Sequence, residues 1–321
     1  MGLAGSGKST ITAELEARGF AVFNRDRVGG RVADLVPGWT AALASGRSVV
    51  ADNLFLTVES RAPFLAAAKL HGVPVECRWM QTTHDEAQVN ILNRMWDRYG
   101  EVFLTADEIA AHPQAKDDSN MLPIAVTFAH RKKLEGDKKV GVAPGKPTTA
   151  EGFVRVTKVP FARRPGTGTG RALILDYDGT LRRDDKDLGG EHNFPTKPSE
   201  VEVLPGRREV LDRYVAEGYR LLGVSTQSGI GKGVVTRGAV DECFAETHRQ
   251  LGHDIEVHYC PHHSFPVNCY CRKPQAGLGV LLTRKHGLNP AECIYVGDLG
   301  TDRSFAQKCG FEFADAATWF R

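Results

Sequence analysis

The sequence predicts an α/β chain of two domains, each built on a parallel sheet. Three observations predict it. The chain opens on Gly2-Leu3-Ala4-Gly5-Ser6-Gly7-Lys8-Ser9-Thr10, the spacing of a phosphate-binding loop that joins a strand to a helix. Further on, Leu173-Ile174-Leu175 runs straight into Asp176-Tyr177-Asp178-Gly179-Thr180. Such an apolar run is what a central parallel strand makes, and ligands bind beyond the carboxyl ends of such strands. Finally, 321 residues is the length of about two ordinary domains. The boundaries fall at 1–161 for the first domain, 162–171 for a Gly/Thr/Arg-rich linker and 172–321 for the second.

Bulk composition narrows the function classes only a little. Lys+Arg is 41 against Asp+Glu 39, and a near-neutral total leaves a local basic groove open. No run of eighteen apolar residues indicates a membrane span, and no basic-then-apolar leader opens the chain. Three of the seven cysteines, Cys260, Cys269 and Cys271, crowd together with histidines. That is a metal-binding pattern in a reducing compartment rather than a disulfide framework, so a cytoplasmic protein is expected.

In the first domain the glycines Gly2, Gly5 and Gly7 let backbone N–H groups curl around phosphates, with Ser6 between them. Lys8 would reach the β and γ oxygens of ATP, and Ser9 would hold Mg²⁺. Thr10 to Arg18 reads as the helix whose positive end faces the anion. Only Met1 precedes Gly2, so the sheet is expected to lack its first strand, with the true start upstream. Phe20–Phe23 and Ser48–Ala51 read as strands. Asp26 follows the first, where a kinase's general base could sit. Asp52 ends the second, where an acid orients Mg²⁺ or its water. Arg61–Leu70 reads as a helix, Val73–Met80 as a strand, and Asp85–Trp96 as a helix carrying Asn90 and Arg94. The Lys/Gly/Pro-rich stretch from Ala129 to Pro147 reads as a solvated loop.

These pieces, with Asn24-Arg25-Asp26, Val50-Ala51-Asp52-Asn53, Leu70-His71-Gly72-Val73-Pro74-Val75 and Glu151-Gly152-Phe153, resemble the kinase domain of polynucleotide kinase/phosphatase. The resemblance implies that Asp26 activates a 5′-hydroxyl and that Arg94 is a lid arginine. The family's phosphate-gripping arginine is replaced by Gly29 here, leaving Arg27 or Arg31 to substitute.

In the second domain Asp176 and Asp178 can divide two jobs, attack on phosphorus and proton transfer, with Mg²⁺ between them. Arg182–Glu200 is too short and polar for a separate cap and reads as a small flap. Arg207–Glu217 reads as a helix closed by Gly218, and Tyr219–Val224 as a strand ending at Ser225. Cys293–Gly297 reads as a strand ending at Asp298, with Asp302 just beyond. Cys260, His262, Cys269 and Cys271 suit tetrahedral Zn²⁺ with no open position, a structural site. His263 competes with His262.

The ordered set Asp176-x-Asp178-x-Thr180, Ser225, Lys273 and Asp298/Asp302 resembles the haloacid-dehalogenase (HAD) phosphatases. The resemblance implies a Rossmann-like sheet without a large cap, with Asp176 as nucleophile, Asp178 as acid/base and Ser225 and Lys273 stabilising the phosphoryl group. It implies Asp176, Asp178, Asp298 and Asp302 around Mg²⁺. Arg272 is expected on the substrate. The loop at 260–271 resembles the zinc loop of bacterial heptose-bisphosphate phosphatases and of some histidine-biosynthesis phosphatases.

A kinase and a phosphatase in one chain would cycle futilely on one metabolite but could heal a nucleic-acid break. The sequence therefore predicts ATP-dependent 5′-phosphorylation and 3′-phosphate removal on DNA or RNA ends, with a ligase acting next. The alternatives are a kinase/phosphatase for sugar phosphates or histidinol phosphate, and an active phosphatase beside a non-catalytic phosphate-loop domain.

Overall fold

The computed structural model describes residues 1–161, 168–184 and 194–320. Most of the expected linker, 162–171, and the middle of the expected flap, 182–200, lie outside the described residues. The chain divides into two compact units, Met1–Ile91 with Pro113–Arg164, and Leu92–His112 with Pro165–Arg321. Both are α/β with parallel strands.

The first unit begins with the loop from Gly2 to Gly7 and the helix α1 (Lys8–Ala17). Then come β1 (Ala21–Phe23), the short α2 (Arg25–Val28), α3 (Val36–Ala44), β2 (Val49–Ala51) and α4 (Val58–Leu70). The Thr57 hydroxyl accepts from the Ser60 amide at 3.3 Å and fixes where α4 starts. β3 (Glu76–Met80) and α5 (His84–Tyr99) follow, the unit boundary falling within α5. α6 (Ala106–Ala111) lies past it, and the chain returns with α7 (Ile124–Glu135) and β4 (Arg155–Val159). β1 pairs with β2 and β3 with β4, in two separate parallel pairs.

Trp39 of α3 and Phe64 of α4 meet edge-on at 5.5 Å, with Phe23 against Trp39 at 5.7 Å. Burying these rings over Leu35 and Leu43 contributes roughly 2 kcal/mol per large side chain. Part of the stretch expected to be a loop from Ala129 is the end of α7. Its lysines and arginines lie on solvent while Ile124, Thr127 and Leu134 are buried, so the charge run is the wet face of a helix.

The second unit carries one complete sheet. Its strands are β5 (Ala172–Leu175), β6 (Arg220–Thr226), β7 (Glu256–Cys260), β8 (Ile294–Gly297) and β9 (Glu312–Asp315). The order is β7-β6-β5-β8-β9, every neighbour parallel. β5 is central, with Leu173 opposite both Leu221 and Ile294, and all four of its residues are buried. That is why the run reads as unbroken apolar rather than alternating. The crossovers are α8 (Arg207–Ala216), α9 (Ser228–Gly231) with α10 (Arg237–Leu251), α11 (Gly277–Lys285) and α12 (Gly300–Cys309), and α13 (Ala316–Trp319) closes the chain. Parallel connection carries every strand's carboxyl end to the same edge, where Asp176, Thr226, Cys260 and Asp298 emerge.

Candidate active site

At that edge Lys273, 7 % exposed as a residue, places its ammonium 2.6 Å from Asp176 Oδ1 and 2.6 Å from Asp302 Oδ1. It also donates to the Tyr295 hydroxyl at 3.0 Å, which donates to Asp302 Oδ1 at 3.0 Å. The Leu299 amide donates to Asp302 Oδ2 at 3.0 Å and so fixes the buried carboxylate at the start of α12. Burial raises the Asp176 carboxyl to about 7, against the opposing pull of Lys273. Burial acts to lower Lys273, but Asp176 and Asp302 outweigh it and hold the amine above its ordinary value.

Asp176, Asp298 and Asp302 bring carboxylate oxygens within 4.8 Å of one another. Three carboxylates, those of Asp176 and Asp302 buried, against one ammonium leave an excess of negative charge. A hard divalent cation such as Mg²⁺, which prefers oxygen ligands, fits that donor set. Gly179 turns with φ +79°, and a Cβ there would sit 2.5 Å from Asp298 Oδ2, so only glycine lets the two loops approach.

Asp178 is placed differently. Its carboxylate accepts from Arg182 Nε at 2.8 Å and from Gln227 Nε2 at 2.9 Å. Arg182 is 1 % exposed, bonded to Thr247 and lying over the Tyr177 and Phe244 rings. Gln227 Nε2 also donates to Ser225 Oγ at 2.9 Å, so one amide ties the acid to the hydroxyl. Arg182, Gln227 and Tyr295 were not legible as site residues. Arg182 sits beside Arg183 in a polar stretch, and only Tyr295 gave a signal, a phenol inside a buried strand that needs a partner.

The four metal-loop residues lie together. Cys260 Sγ is 3.7 Å from Cys269 Sγ and 3.5 Å from His262 Nδ1, and His262 Nδ1 is 3.2 Å from Cys271 Sγ. These are the edges of a tetrahedron around an ion with bonds of about 2.0–2.3 Å, and thiolate plus imidazole is a zinc donor set. Arg272 donates to the His262 carbonyl at 3.4 Å, which places it on the metal loop. The loop is pinned by the Tyr270 amide donating to the Leu104 carbonyl at 2.7 Å and by a bridge between Thr105 and Cys269. That gives a place to a stretch whose sequence carried no clear pattern.

In the first unit the phosphate loop is built but turned on itself. Lys8 Nζ donates to the Leu3 carbonyl at 2.8 Å, the Gly2 carbonyl at 3.3 Å and Ser6 Oγ at 3.5 Å. Asn90 Nδ2 holds the Gly5 carbonyl at 2.7 Å and Thr82 Oγ1 the Ser6 carbonyl at 3.0 Å. Gly7 caps α1 in the left-handed region, and Ser9 and Thr10 are exposed on its first turn. Asp52 is buried and accepts from Asn24 Nδ2 at 3.2 Å. Asp26 is half exposed, paired with Arg25 and accepting from Ser119 Oγ at 3.2 Å. The two arginines expected on substrate are engaged locally. Arg27 pairs with Glu16 at 2.7 Å, and Arg31, its side chain 86 % exposed, with Asp34 at 3.2 Å. Arg94 is half-buried on α5, past the unit boundary.

A model of the AAA domain family matches residues 1–112. A probable D-glycero-D-manno-heptose-1,7-bisphosphate 7-phosphatase of Thermoplasma volcanium is 31% identical over 148 residues, 44% of this chain and 96% of that protein. Further curated relatives, from Pasteurella multocida, Haemophilus and others, bear the name of the corresponding heptose-bisphosphate phosphatase. The crystal structure of a D,D-heptose 1.7-bisphosphate phosphatase from B. bronchiseptica, complexed with magnesium and phosphate, is 26% identical with a TM-score of 0.41, over 44% of this chain and 78% of that one. A Pnkp1/Rnl/Hen1 complex aligns over 98% of this chain and 93% of its own, at 12% identity and a TM-score of 0.31, a likeness that carries no argument.

The curated relatives overturn the expectation of a nucleic-acid end-healing enzyme acting on DNA or RNA. That expectation rested on the pairing of two domains, whereas the curated relatives bear the names of sugar-phosphate enzymes. No helix of the described residues is long and apolar enough to cross a membrane. Behind a P-loop-like domain, the chain thus carries a HAD-type phosphomonoesterase domain and, through it, belongs to the family of the heptose-bisphosphate phosphatases.

Proposed function

We propose that the second domain removes one phosphate from a small sugar phosphate of the heptose-bisphosphate class, through an aspartyl-phosphate on Asp176. The observation that carries this reading is Lys273, held at 2.6 Å from both Asp176 and Asp302 beside a third carboxylate. A carboxylate so placed is oriented for in-line attack rather than dispersed in solvent.

Asp176 attacks phosphorus, and the sugar oxygen leaves with a proton from Asp178. Asp178 then takes a proton from the water that cleaves the acyl phosphate, regenerating Asp176 and releasing inorganic phosphate. Arg182 and Gln227 set the direction of the Asp178 carboxylate for both transfers. Ser225 and Lys273 donate to phosphoryl oxygens as charge builds on them. Mg²⁺ held by Asp176, Asp298 and Asp302 would supply further charge neutralisation at the phosphoryl group. Cys260, His262, Cys269 and Cys271 would hold Zn²⁺ in a closed, structural set that fixes the backbone two residues before Lys273. Arg272, on that loop, is the proposed contact to the sugar phosphate.

For the first domain we propose that Lys8, Ser9 and Thr10 take the phosphates of ATP with Mg²⁺, with Asp52 in its outer shell. Asp26 would serve transfer to a small-molecule hydroxyl. Lys8 leaves its loop carbonyls for the anion on this reading.

The test measures phosphate release by the full chain from D-glycero-D-manno-heptose 1,7-bisphosphate and from a panel of sugar monophosphates. Release from the bisphosphate with Mg²⁺, lost by about 10³-fold or more in Asp176→Asn, is expected. No release from any sugar phosphate would overturn the reading.

A further inference from the structure

Lys273 hangs on a turn that a distant part of the chain holds. Leu92–His112 belongs to the second unit. Val102, Phe103 and Ile109 of this segment are buried, and the rings of Tyr99, Phe103 and His112 pack on one another at 5.0–5.8 Å. The segment is tied to α11, where Arg284 pairs with Asp97 and donates to Asn93 Oδ1 at 3.4 Å.

Its turn at Leu104 and Thr105 is fixed by one residue of α6. The Leu104 amide donates to the Glu108 carboxylate, and the Thr105 hydroxyl accepts from the Glu108 amide at 3.2 Å. That turn then takes hold of the metal loop: the Leu104 carbonyl accepts from the Tyr270 amide at 2.7 Å, and Thr105 bridges Cys269 in the antiparallel sense.

Tyr270 stands between Cys269 and Cys271, and its carbonyl is used as well, accepting from the Gly277 amide at 3.0 Å. Within that span the Gln275 amide donates to the Arg272 carbonyl at 2.7 Å. Lys273 is therefore enclosed by two nested backbone bonds, and the outer one ends on Tyr270. Packing at this point is close. A Cβ on Gly277 would lie 2.6 Å from the Tyr270 carbonyl oxygen and 2.8 Å from Leu104 Cδ2, so Leu104 and Tyr270 have little room to shift. Tyr270 is buried, and without Leu104 its amide would lose this acceptor in a place that water does not reach.

We infer that Leu92–His112 is a positioning arm of the phosphatase site. Leu104 and Thr105 hold the backbone from Cys269 to Cys271, and that backbone sets where the Lys273 ammonium stands between Asp176 and Asp302. The inference rests on the phosphatase reading of this site. Metal ligation would fix the side chains of Cys269 and Cys271; the arm fixes the backbone between them. The precision matters, because a displacement of about 1 Å at a group serving the reaction costs on the order of 10²-fold in rate.

The test uses the full chain with Glu108→Ala, which releases the turn at Leu104 and Thr105. Glu108→Gln, whose amide oxygen still accepts from Leu104, is the rescue, and Asp107→Ala is an exposed neighbour on the same helix. Two readouts are taken at full zinc occupancy. Pulse labelling with acetic anhydride, read by mass spectrometry, reports how firmly Lys273 is held and needs no substrate. Phosphate release from D-glycero-D-manno-heptose 1,7-bisphosphate gives kcat and KM. Glu108→Ala is expected to label Lys273 about tenfold faster and to lose about tenfold in kcat with KM little changed. Glu108→Gln should restore most of both, and Asp107→Ala should change neither. Unchanged labelling of Lys273 in Glu108→Ala would overturn the inference, as would faster labelling that Glu108→Gln does not restore. Faster labelling with kcat intact would overturn it too, since the arm would then serve stability alone. A native chain that releases no phosphate from any sugar phosphate would overturn the proposed substrate and not the arm, which the labelling still decides.

Discussion

The two lysines at the two candidate phosphate sites are held in opposite ways. Lys273 is committed to Asp176 and Asp302 in the interior of a complete sheet. Lys8 rests on the carbonyls of its own loop, beside a sheet split into two pairs. A buried ammonium shared by two carboxylates is part of the fold, because neither side can lose the other without an uncompensated charge in a desolvated place. An ammonium resting on loop carbonyls exchanges one set of acceptors for another at small cost, which is what the proposed role toward a phosphate requires of Lys8.

The largest expected effect breaks this contrast if it fails. Lys273→Met should destabilise the second unit by about 3–5 kcal/mol in urea unfolding, since Asp176 and Asp302 lose their counter-charge. Lys8→Met should cost about 1 kcal/mol or less and lose binding of MgATP instead. Equal stability losses would show that Lys8 is as structural as Lys273.

Next in size is the metal loop. Cys271→Ser, or chelation of the native chain, should remove about one zinc per chain by elemental analysis. Melting of the second unit should drop by several degrees. The reason lies in the chain: Lys273 follows Cys271 by two residues, so a loosened loop moves the ammonium off Asp176. Loss of zinc with Lys273 still in place and phosphatase activity intact would separate the two.

The two loops also share a backbone device. Gly5 has φ +78°, and a Cβ there would meet the Ala87 carbonyl at 2.4 Å; Gly179 has φ +79° and would meet Asp298. Alanine at either position should cost roughly 1–3 kcal/mol. Gly179→Ala should also weaken Mg²⁺ binding by shifting Asp298, whereas Gly5→Ala should act on nucleotide binding. Titration calorimetry with each ligand distinguishes them.

Much of the second site was legible because its residues end strands. Leu173–Leu175 and Ile294–Gly297 are unbroken apolar runs, and the residue after each run lies at the ligand-binding edge by topology alone. The four metal-loop residues were legible from donor type and spacing. What was not legible depends on contacts across the chain. Arg182 looks like a surface charge until Thr247 and Phe244 of α10 surround it. Leu104 and Thr105 carry no sign that they pin Tyr270 and Cys269. The charged run in α7 hid a helix because its apolar side is short. In the first unit the motif was plain, but the pairing of its strands, β1 with β2 and β3 with β4, was not. Local chemistry survives in a short motif, whereas the frame around it is a property of distant pairings.

The smallest expected effect is a difference in the sign of pH dependence between the units. His130 in the first unit is lowered to about 4 by burial, with Lys133 and Lys8 adding to it. Its unfolded value is 6.5, so between pH 6.5 and 4 the unfolded chain binds the extra proton. That unit should lose stability as pH falls through this window. In the metal-free second unit Asp176 is raised by burial to about 7 from 3.8. Between those values the native state holds the extra proton, so stability should fall as pH rises. Peptide-resolved hydrogen exchange with EDTA at pH 4.5 and 6.5, corrected for intrinsic exchange rates, reads both units in one experiment. The first should be the more protected at pH 6.5 and the second at pH 4.5. Mg²⁺ should flatten the second slope, because the cation replaces the proton on Asp176, and slopes of the same sign in metal-free protein would break the contrast between the two sites.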